Sequence, residues 1–383
     1  MKKIISQLVI ISFFLASCGG AKETETEAVR VRGVWLTNVD SKALNSKENI
    51  IETVKLCNEL GFNTIFVVTW NKAMTTFPSK VVKQLTGVEI DTMFTGRDPL
   101  RELIDEAHKN NIKVFAWFEF GFSSSYNQNG GILLKAKPEW AAKDSAGNLV
   151  KKNNFEWMNG FNPEVQNFML SLIMEVVNNY DVDGIQGDDR LPAMPSEAGY
   201  DEYTVNLYKQ QHNGIEPPKY SKDSTWLQWR ADLLTDFMRR IYETVKAAKQ
   251  NVIVSVAPSI YPWSKEEYLQ DWTAWVEKGY VDLICPQLYR YETERYFTAL
   301  DDIVDRYISE KNLYKFYPGI LLKVGSYYAS KDYIKKVVAY NRSKGINGEV
   351  FFFFEGLKKY HEFFRDSLYH NKVKFPQLLK TKS

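Results

Sequence analysis

A chain of 383 residues with 49 Lys+Arg against 47 Asp+Glu, a formal net charge of +2, makes no electrostatic case for nucleic acid. No basic run of five or more residues supplies one locally. The length exceeds what one minimal core needs but suits an α/β barrel with long loops.

The first element is a leader. Met1-Lys2-Lys3 supplies positive charge, and residues 4–14 form a short apolar core interrupted by Ser6, Gln7 and Ser12. A membrane span needs about 20 apolar residues, so this stretch reads as a secretory signal. Leu15-Ala16-Ser17-Cys18 resembles the bacterial lipobox, which implies lipidation of Cys18. Residues 1–17 are therefore expected to be a lipoprotein signal peptide, 18–29 a polar tether, and 30–375 the folded domain. The expected location is the cell envelope, with Cys18 anchored in a membrane.

Beyond the tether one unit repeats: a short apolar run, a loop, then an amphipathic helix. The runs are residues 31–36, 64–69, 112–118, 182–186, 252–256, 281–285, 316–322 and 349–354. Most are near-continuous in Val, Ile, Leu and Phe, as parallel strands covered by helices should be. Helices are predicted between them. Residues 48–60 would bury Ile51, Val54, Leu56 and Leu60 and stop at Gly61. Asp98-Pro99 and Asn162-Pro163 each join an N-cap to a first-turn proline. Further helices are expected at 223–248, 265–278, 294–309 and 331–344. Cys57 and Cys285 then fall on a surface helix and an interior strand, as two buried reduced thiols rather than a disulfide.

Eight units without a break predict an α/β fold, a single closed (β/α)8 TIM barrel with long strand-to-helix loops. The alternative, an open doubly wound sheet, lacks a Gly-rich turn after strand 1. Helix-to-strand connections are short, whereas residues 71–97, 119–161 and 188–222 form very long strand-to-helix loops. Barrel enzymes work at the strand C-termini, so the site is expected where Trp70, Glu119, Asp188 and Glu355 emerge.

The chemistry available there is carboxylate chemistry. His108, His212, His361 and His370 all fall on helices or loops, so neither zinc nor another cofactor is expected. No GxSxG elbow occurs, and neither Cys57 nor Cys285 has a His placed to activate it. Lys323-Val324-Gly325-Ser326 is a faint candidate for a phosphate site after strand 7. Glu119 follows strand 3, Asp188 and Asp189 end strand 4, and Glu355 ends strand 8. Glycoside hydrolysis needs two such groups, one charged and one able to deliver a proton. The plainer reading is that these acids make salt bridges, and Arg190 is the obvious partner for one Asp. Trp35, Trp70, Trp117, Tyr126, Trp157, Tyr289 and Tyr291 lie near the same face, where aromatic planes stack on sugar rings. Trp117 could equally be barrel packing.

Several segments in order along the chain resemble the glycosyl hydrolase-like 10 family. They are Arg32-Gly33-Val34-Trp35-Leu36-Thr37, Pro138-Glu139-Trp140 through Gly147-Asn148, Asn162-Pro163-Glu164-Val165 and Tyr180-Asp181-Val182-Asp183-Gly184-Ile185-Gln186-Gly187-Asp188-Asp189. Tyr268-Leu269-Gln270-Asp271-Trp272 and Ile284-Cys285-Pro286-Gln287-Leu288-Tyr289 complete the set. The resemblance implies a (β/α)8 hydrolase of the bacterial envelope, acting on peptidoglycan glycan strands stripped of stem peptides. Asp183-Gly184-Ile185-Gln186-Gly187-Asp188 also looks like strand 4 of the alpha-amylase clan, with Asp188 in the nucleophile's place. Gln186 stands where that clan has Arg, and strand 5 ends Ala257-Pro258-Ser259 without the clan's Glu. The candidate catalytic set is Asp188, Asp189, Glu119 and Glu355. The candidate substrate-binding set is Arg32, Trp35, Trp70, Trp117, Tyr126, Arg190, Gln287 and Tyr289. Period-2 spacing turns Gln186 and Asp188 to one side, leaving Asp189 pointing away from Asp188. A non-catalytic saccharide-binding envelope lipoprotein and a hydrolase of another polysaccharide remain as competing readings.

Overall fold

The computed structural model describes residues 28–379; the expected signal peptide, Cys18 and most of the expected tether lie outside the described residues. Eight parallel strands line the centre: β1 (Val31–Leu36), β2 (Thr64–Val68), β3 (Lys113–Phe118), β4 (Gly184–Gly187), β5 (Ile253–Val256), β6 (Leu283–Ile284), β7 (Gly319–Leu321) and β8 (Gly348–Phe352). They are ordered β6-β5-β4-β3-β2-β1-β8-β7. Single bridges Ile284↔Phe316 and Gln287↔Gly319 join β6 to β7 and close the circle. The Gly319 N–H donates to the Pro286 carbonyl at 2.8 Å across that seam. The fold is the expected (β/α)8 barrel, with both faces of each strand buried, which is why the strands read as unbroken apolar runs.

The helices pack outside: α1 (Lys47–Glu59), α2 (Pro99–Lys109), α3 (Pro163–Asn179), α4 (Ser224–Ala248), α5 (Trp272–Lys278), α6 (Thr293–Arg306) and α7 (Lys331–Ser343). Their ends follow local chemistry. Asp98 accepts from the Arg101 N–H and Asn162 from the Glu164 N–H, each before a first-turn proline. The buried face of α1 is Ile50, Thr53, Val54 and Cys57, so Ile51 is 40% exposed instead of buried. Val54 and Leu60 are buried as expected, and Leu56 is half-buried. Cys57 and Cys285 are both buried and free.

The helix predicted over 265–278 is two pieces, Trp263–Tyr268 and α5, parted at Leu269, which takes φ +56°. That break is tied to the barrel mouth, because it turns Gln270 inward (below). The long loops are also not structureless. The loop after β3 carries an antiparallel sheet of Ser123–Tyr126, Phe155–Trp157 and Lys151–Lys152, and the loop after β4 carries the helix Glu202–Gln211. Lys152 joins three loops: its ammonium lies 3.0 Å from Glu197 and 2.8 Å from Glu267. The opposite end of the barrel is plugged. Phe375 lies against Phe115 there, and Arg30 bonds the Lys374 carbonyl at 2.8 Å.

Candidate active site

The C-terminal ends of the strands enclose a cavity of about 200 Å³. Trp35, Trp117, Phe155, Tyr289 and Phe352 form its apolar wall, and Glu119, Asp188, Asp189, Arg190 and Gln287 its polar lining. Strand β4 brings the acids in. Gln186 points into the barrel, accepting from the Trp35 indole N–H at 2.8 Å and donating to the Ser255 hydroxyl at 2.9 Å. Two residues on, Asp188 keeps the same side and is 2% exposed. A tight turn follows at once. A Cβ on Gly187 would meet the Leu191 carbonyl oxygen at 2.2 Å, so only glycine allows the chain to fold back there. Because the strand has ended, alternation no longer holds, and Asp189 lines the cavity too rather than pointing away.

Arg190 is the hub of the cluster. Its Nη2 donates to Asp188 Oδ2 at 2.9 Å and lies 3.8 Å from Glu119 Oε1. Its Nη1 pairs with Asp189 Oδ1 at 2.9 Å, an ion pair whose angles miss those of a hydrogen bond. Its Nε donates to the Glu119 backbone carbonyl at 2.9 Å, and its guanidinium sits 4.7 Å from the Phe155 ring centroid. The remaining valences of Asp188 are also filled. Gln287 donates to Oδ1 at 2.7 Å, and Gln270 to the backbone carbonyl at 2.9 Å. Glu119 accepts from the Asn71 amide at 2.5 Å through Oε2.

The β3 loop reaches Arg190 through another glycine. Gly121 has φ +50°, and a Cβ there would lie 2.0 Å from the Arg190 carbonyl oxygen, to which the Phe122 N–H donates at 3.0 Å. This contact sets Glu119 beside the turn that carries Asp188.

Three carboxylates share one guanidinium, so the cluster cannot ionise freely. Burial raises the pKa of Asp188 well above the usual carboxylate range; Asp189 adds to the rise, and Arg190 opposes it. Burial likewise raises Glu119, against Arg190 and Asn71, which lower it. Burial disfavours the charge on Arg190, but Asp189, Asp188 and Glu119 outweigh that and raise its pKa. Burial, then Asp188, raises Tyr289 well above the phenol range, so it stays neutral. Trp117 is 3% exposed, and its indole N–H has no partner among the described residues.

Four of the expected residues lie elsewhere. Glu355 turns to the Ser41 hydroxyl at 2.8 Å, beside α1, because the chain leaves β8 in a 3-10 turn over Phe354–Tyr360. Arg32 sits at the other end of β1, under Tyr369 and bonded to the Asn371 carbonyl at 2.7 Å. Trp70 is wholly buried, donating to the Gly121 carbonyl at 3.1 Å and packed on Phe168. Tyr126 lies on the outer hairpin against Phe155 and does not line the cavity. Phe155, Phe352, Asn71 and Gln270 escaped the sequence reading. Only Gln270 carried a signal, through its place in Tyr268-Leu269-Gln270-Asp271-Trp272.

Residues 30–321 match the sequence profile of the family described as glycosyl hydrolase-like 10. The chain belongs to that family. Among curated relatives of this glycosyl hydrolase-like 10 chain, glycosyl hydrolase DigH of Escherichia coli (strain K12) is 25% identical over 341 residues, covering 74% of each chain. Glycosyl hydrolase YngK of Bacillus subtilis (strain 168) is 25% identical over 322 residues, 75% of this chain and 58% of YngK. Among solved structures, the PgaB (BpsB) glycoside hydrolase domain from Bordetella bronchiseptica superposes with a TM-score of 0.66 at 13% identity, covering 93% of this chain and 100% of that domain. The catalytic domain of a Paenibacillus polymyxa beta-amylase gives 0.57 at 9% identity, over 86% and 94% of the two chains. At such identities these structures bear on the fold.

Proposed function

We propose that the protein is a glycoside hydrolase that cleaves the glycan strands of peptidoglycan or a related amino-sugar polymer. The observation that carries the proposal is a pair of carboxyls, buried Asp188 and half-buried Glu119, held on one guanidinium inside an aromatic cavity. Both oxygens of Asp188 accept N–H donors, which favours its charged form despite burial. Glu119 Oε1 has no hydrogen-bond donor among the described residues, only Arg190 at 3.8 Å. The proton that the crowded cluster retains is therefore assigned to Glu119.

In this reading Glu119 delivers its proton to the glycosidic oxygen as the C1–O bond breaks, and the leaving sugar departs as an alcohol. Asp188 faces the positive charge developing at C1 and bonds to it. Glu119, now ionised, takes a proton from water, whose oxygen displaces Asp188 and restores both groups. The spacing is compatible with this two-step course. Glu119 Oε1 and Asp188 Oδ2 lie 3.8 and 2.9 Å from Arg190 Nη2, so they are at most about 6.7 Å apart, a bound that admits the roughly 5–5.5 Å of retaining enzymes and touches only the lower edge of the inverting range. Asp189 is left to hold Arg190 and meet a sugar hydroxyl.

The support for peptidoglycan is the resemblance of the segments named above. That for an envelope location with a lipid anchor is Leu15-Ala16-Ser17-Cys18. The test is turnover of purified, peptide-free glycan strands, with products resolved by mass spectrometry and anomeric configuration followed by NMR. Asp188→Asn should lose about 10³-fold or more in kcat while still binding glycan. Glu119→Gln should regain rate on a substrate with an activated leaving group, which needs no proton. Full activity in both variants would overturn the mechanism.

A further inference from the structure

Across the mouth from the acids, the ends of β6, β7 and β8 carry a shelf that the mechanism does not use. Its apolar part is tyrosine. Tyr291, two residues beyond cavity-lining Tyr289, is 62% exposed and meets Tyr327 edge-on at 4.7 Å. Tyr327 and Tyr328 form one arm of a hairpin whose other arm is Lys323–Val324. Its charged part is two ammonium groups. Lys323 lies 5.6 Å from the Tyr328 ring centroid and 5.2 Å from that of Phe353, the neighbour of cavity-lining Phe352. Lys359 lies 4.1 Å from the Tyr328 centroid. Neither ammonium has a carboxylate within salt-bridge distance among the described residues; Lys323 bonds the Gly325 carbonyl at 3.2 Å. The nearby Glu355 is engaged by Ser41. Two cations without a carboxylate partner over half-buried Tyr328, with the exposed Tyr291 ring on the same shelf, suit a ligand that is part flat and apolar, part anionic.

We propose that this shelf is a subsite for a sugar bearing a free carboxylate, the neighbour along the chain of the sugar whose bond lies at Glu119 and Asp188. The proposal rests on the glycosidase reading and sharpens it. The ring stacks on the exposed Tyr291, which Tyr327 braces edge-on, and the carboxylate meets Lys323 and Lys359. In peptidoglycan the lactyl carboxylate of each muramyl residue is consumed as an amide wherever a stem peptide is attached. It is anionic only where the peptide has been removed. The shelf thereby reads that charge.

The test compares peptide-free glycan strands with the same strands after their carboxylates have been converted to amides. The full-length wild-type protein should favour the carboxylate strands by about tenfold in KM. The double variant Lys323→Gln/Lys359→Gln should lose that preference through KM, with kcat and behaviour on amidated strands unchanged. An unaltered preference in the double variant, or an equal loss on both substrates, overturns the subsite. If neither strand is turned over, the hydrolase reading fails, and equilibrium binding of the two strands decides the subsite alone. A carboxylate preference abolished in the double variant then supports it, and equal binding, or none, overturns it.

Discussion

Replacing Arg190 by Gln removes the cation that, among the described residues, Asp188, Asp189 and Glu119 share at 2.9, 2.9 and 3.8 Å. Two unit charges about 4 Å apart interact by about 4 kcal/mol at an effective dielectric constant of about 20, an upper bound near three pKa units. Arg neighbours commonly lower an Asp by about 1–3 units, so the same range is the expected rise on removal. The sign follows directly. Without Arg190, Asp188 binds its proton at higher pH, and activity that needs the ionised form is lost on the acidic side. Glu119 also holds its proton to higher pH, so the basic limb moves the same way. Asp188 is closer to the guanidinium than Glu119, so the acidic limb moves further and the bell narrows. The assay is kcat/KM against pH for the wild type, Arg190→Gln and Arg190→Lys. Lysine keeps the charge but not the fork, so its rate should fall with the limbs near their wild-type positions. An acidic limb that stays put in Arg190→Gln would refute the electrostatic account and leave Arg190 a packing residue.

The two aromatics Trp70 and Tyr289 should separate. Trp70→Ala should cost about 3–5 kcal/mol of stability in denaturant unfolding, since its ring is wholly buried on Phe168, whereas Tyr289→Ala should raise KM. Gly121→Ala must displace the Arg190 carbonyl, 2.0 Å from the new Cβ, and should lower kcat by separating Glu119 from Asp188; native kcat would show that the loop yields without cost. Cys18→Ser should move the protein from the membrane to the soluble fraction with the domain still folded, which fractionation and circular dichroism would check.

Periodicity carries a barrel because each strand must be apolar on both faces and each helix on one. Residues 31–36 were therefore readable to the residue, and so was the end of the barrel that carries the long loops and gathers the acids. Spacing alone also put Asp188 on the side of Gln186, because a strand alternates strictly. The rule failed one residue later. Asp189 joins the cavity because Gly187 lets the chain fold back on Leu191, and a turn has no period. Trp70, Arg32, Glu355 and Tyr126 were misplaced for a related reason. A residue near a strand end can face the cavity, the helix layer or the barrel floor, and chain position does not distinguish these. What the sequence by itself determined was the barrel, the end that carries the long loops and the chemical type of the groups there. Which carboxyls share Arg190, and that Gln270, Gln287 and Asn71 brace them, depended on loops from β2, β3, β4, β5 and β6 meeting in space. Those contacts join residues 48 to 99 positions apart, and no local pattern encodes them.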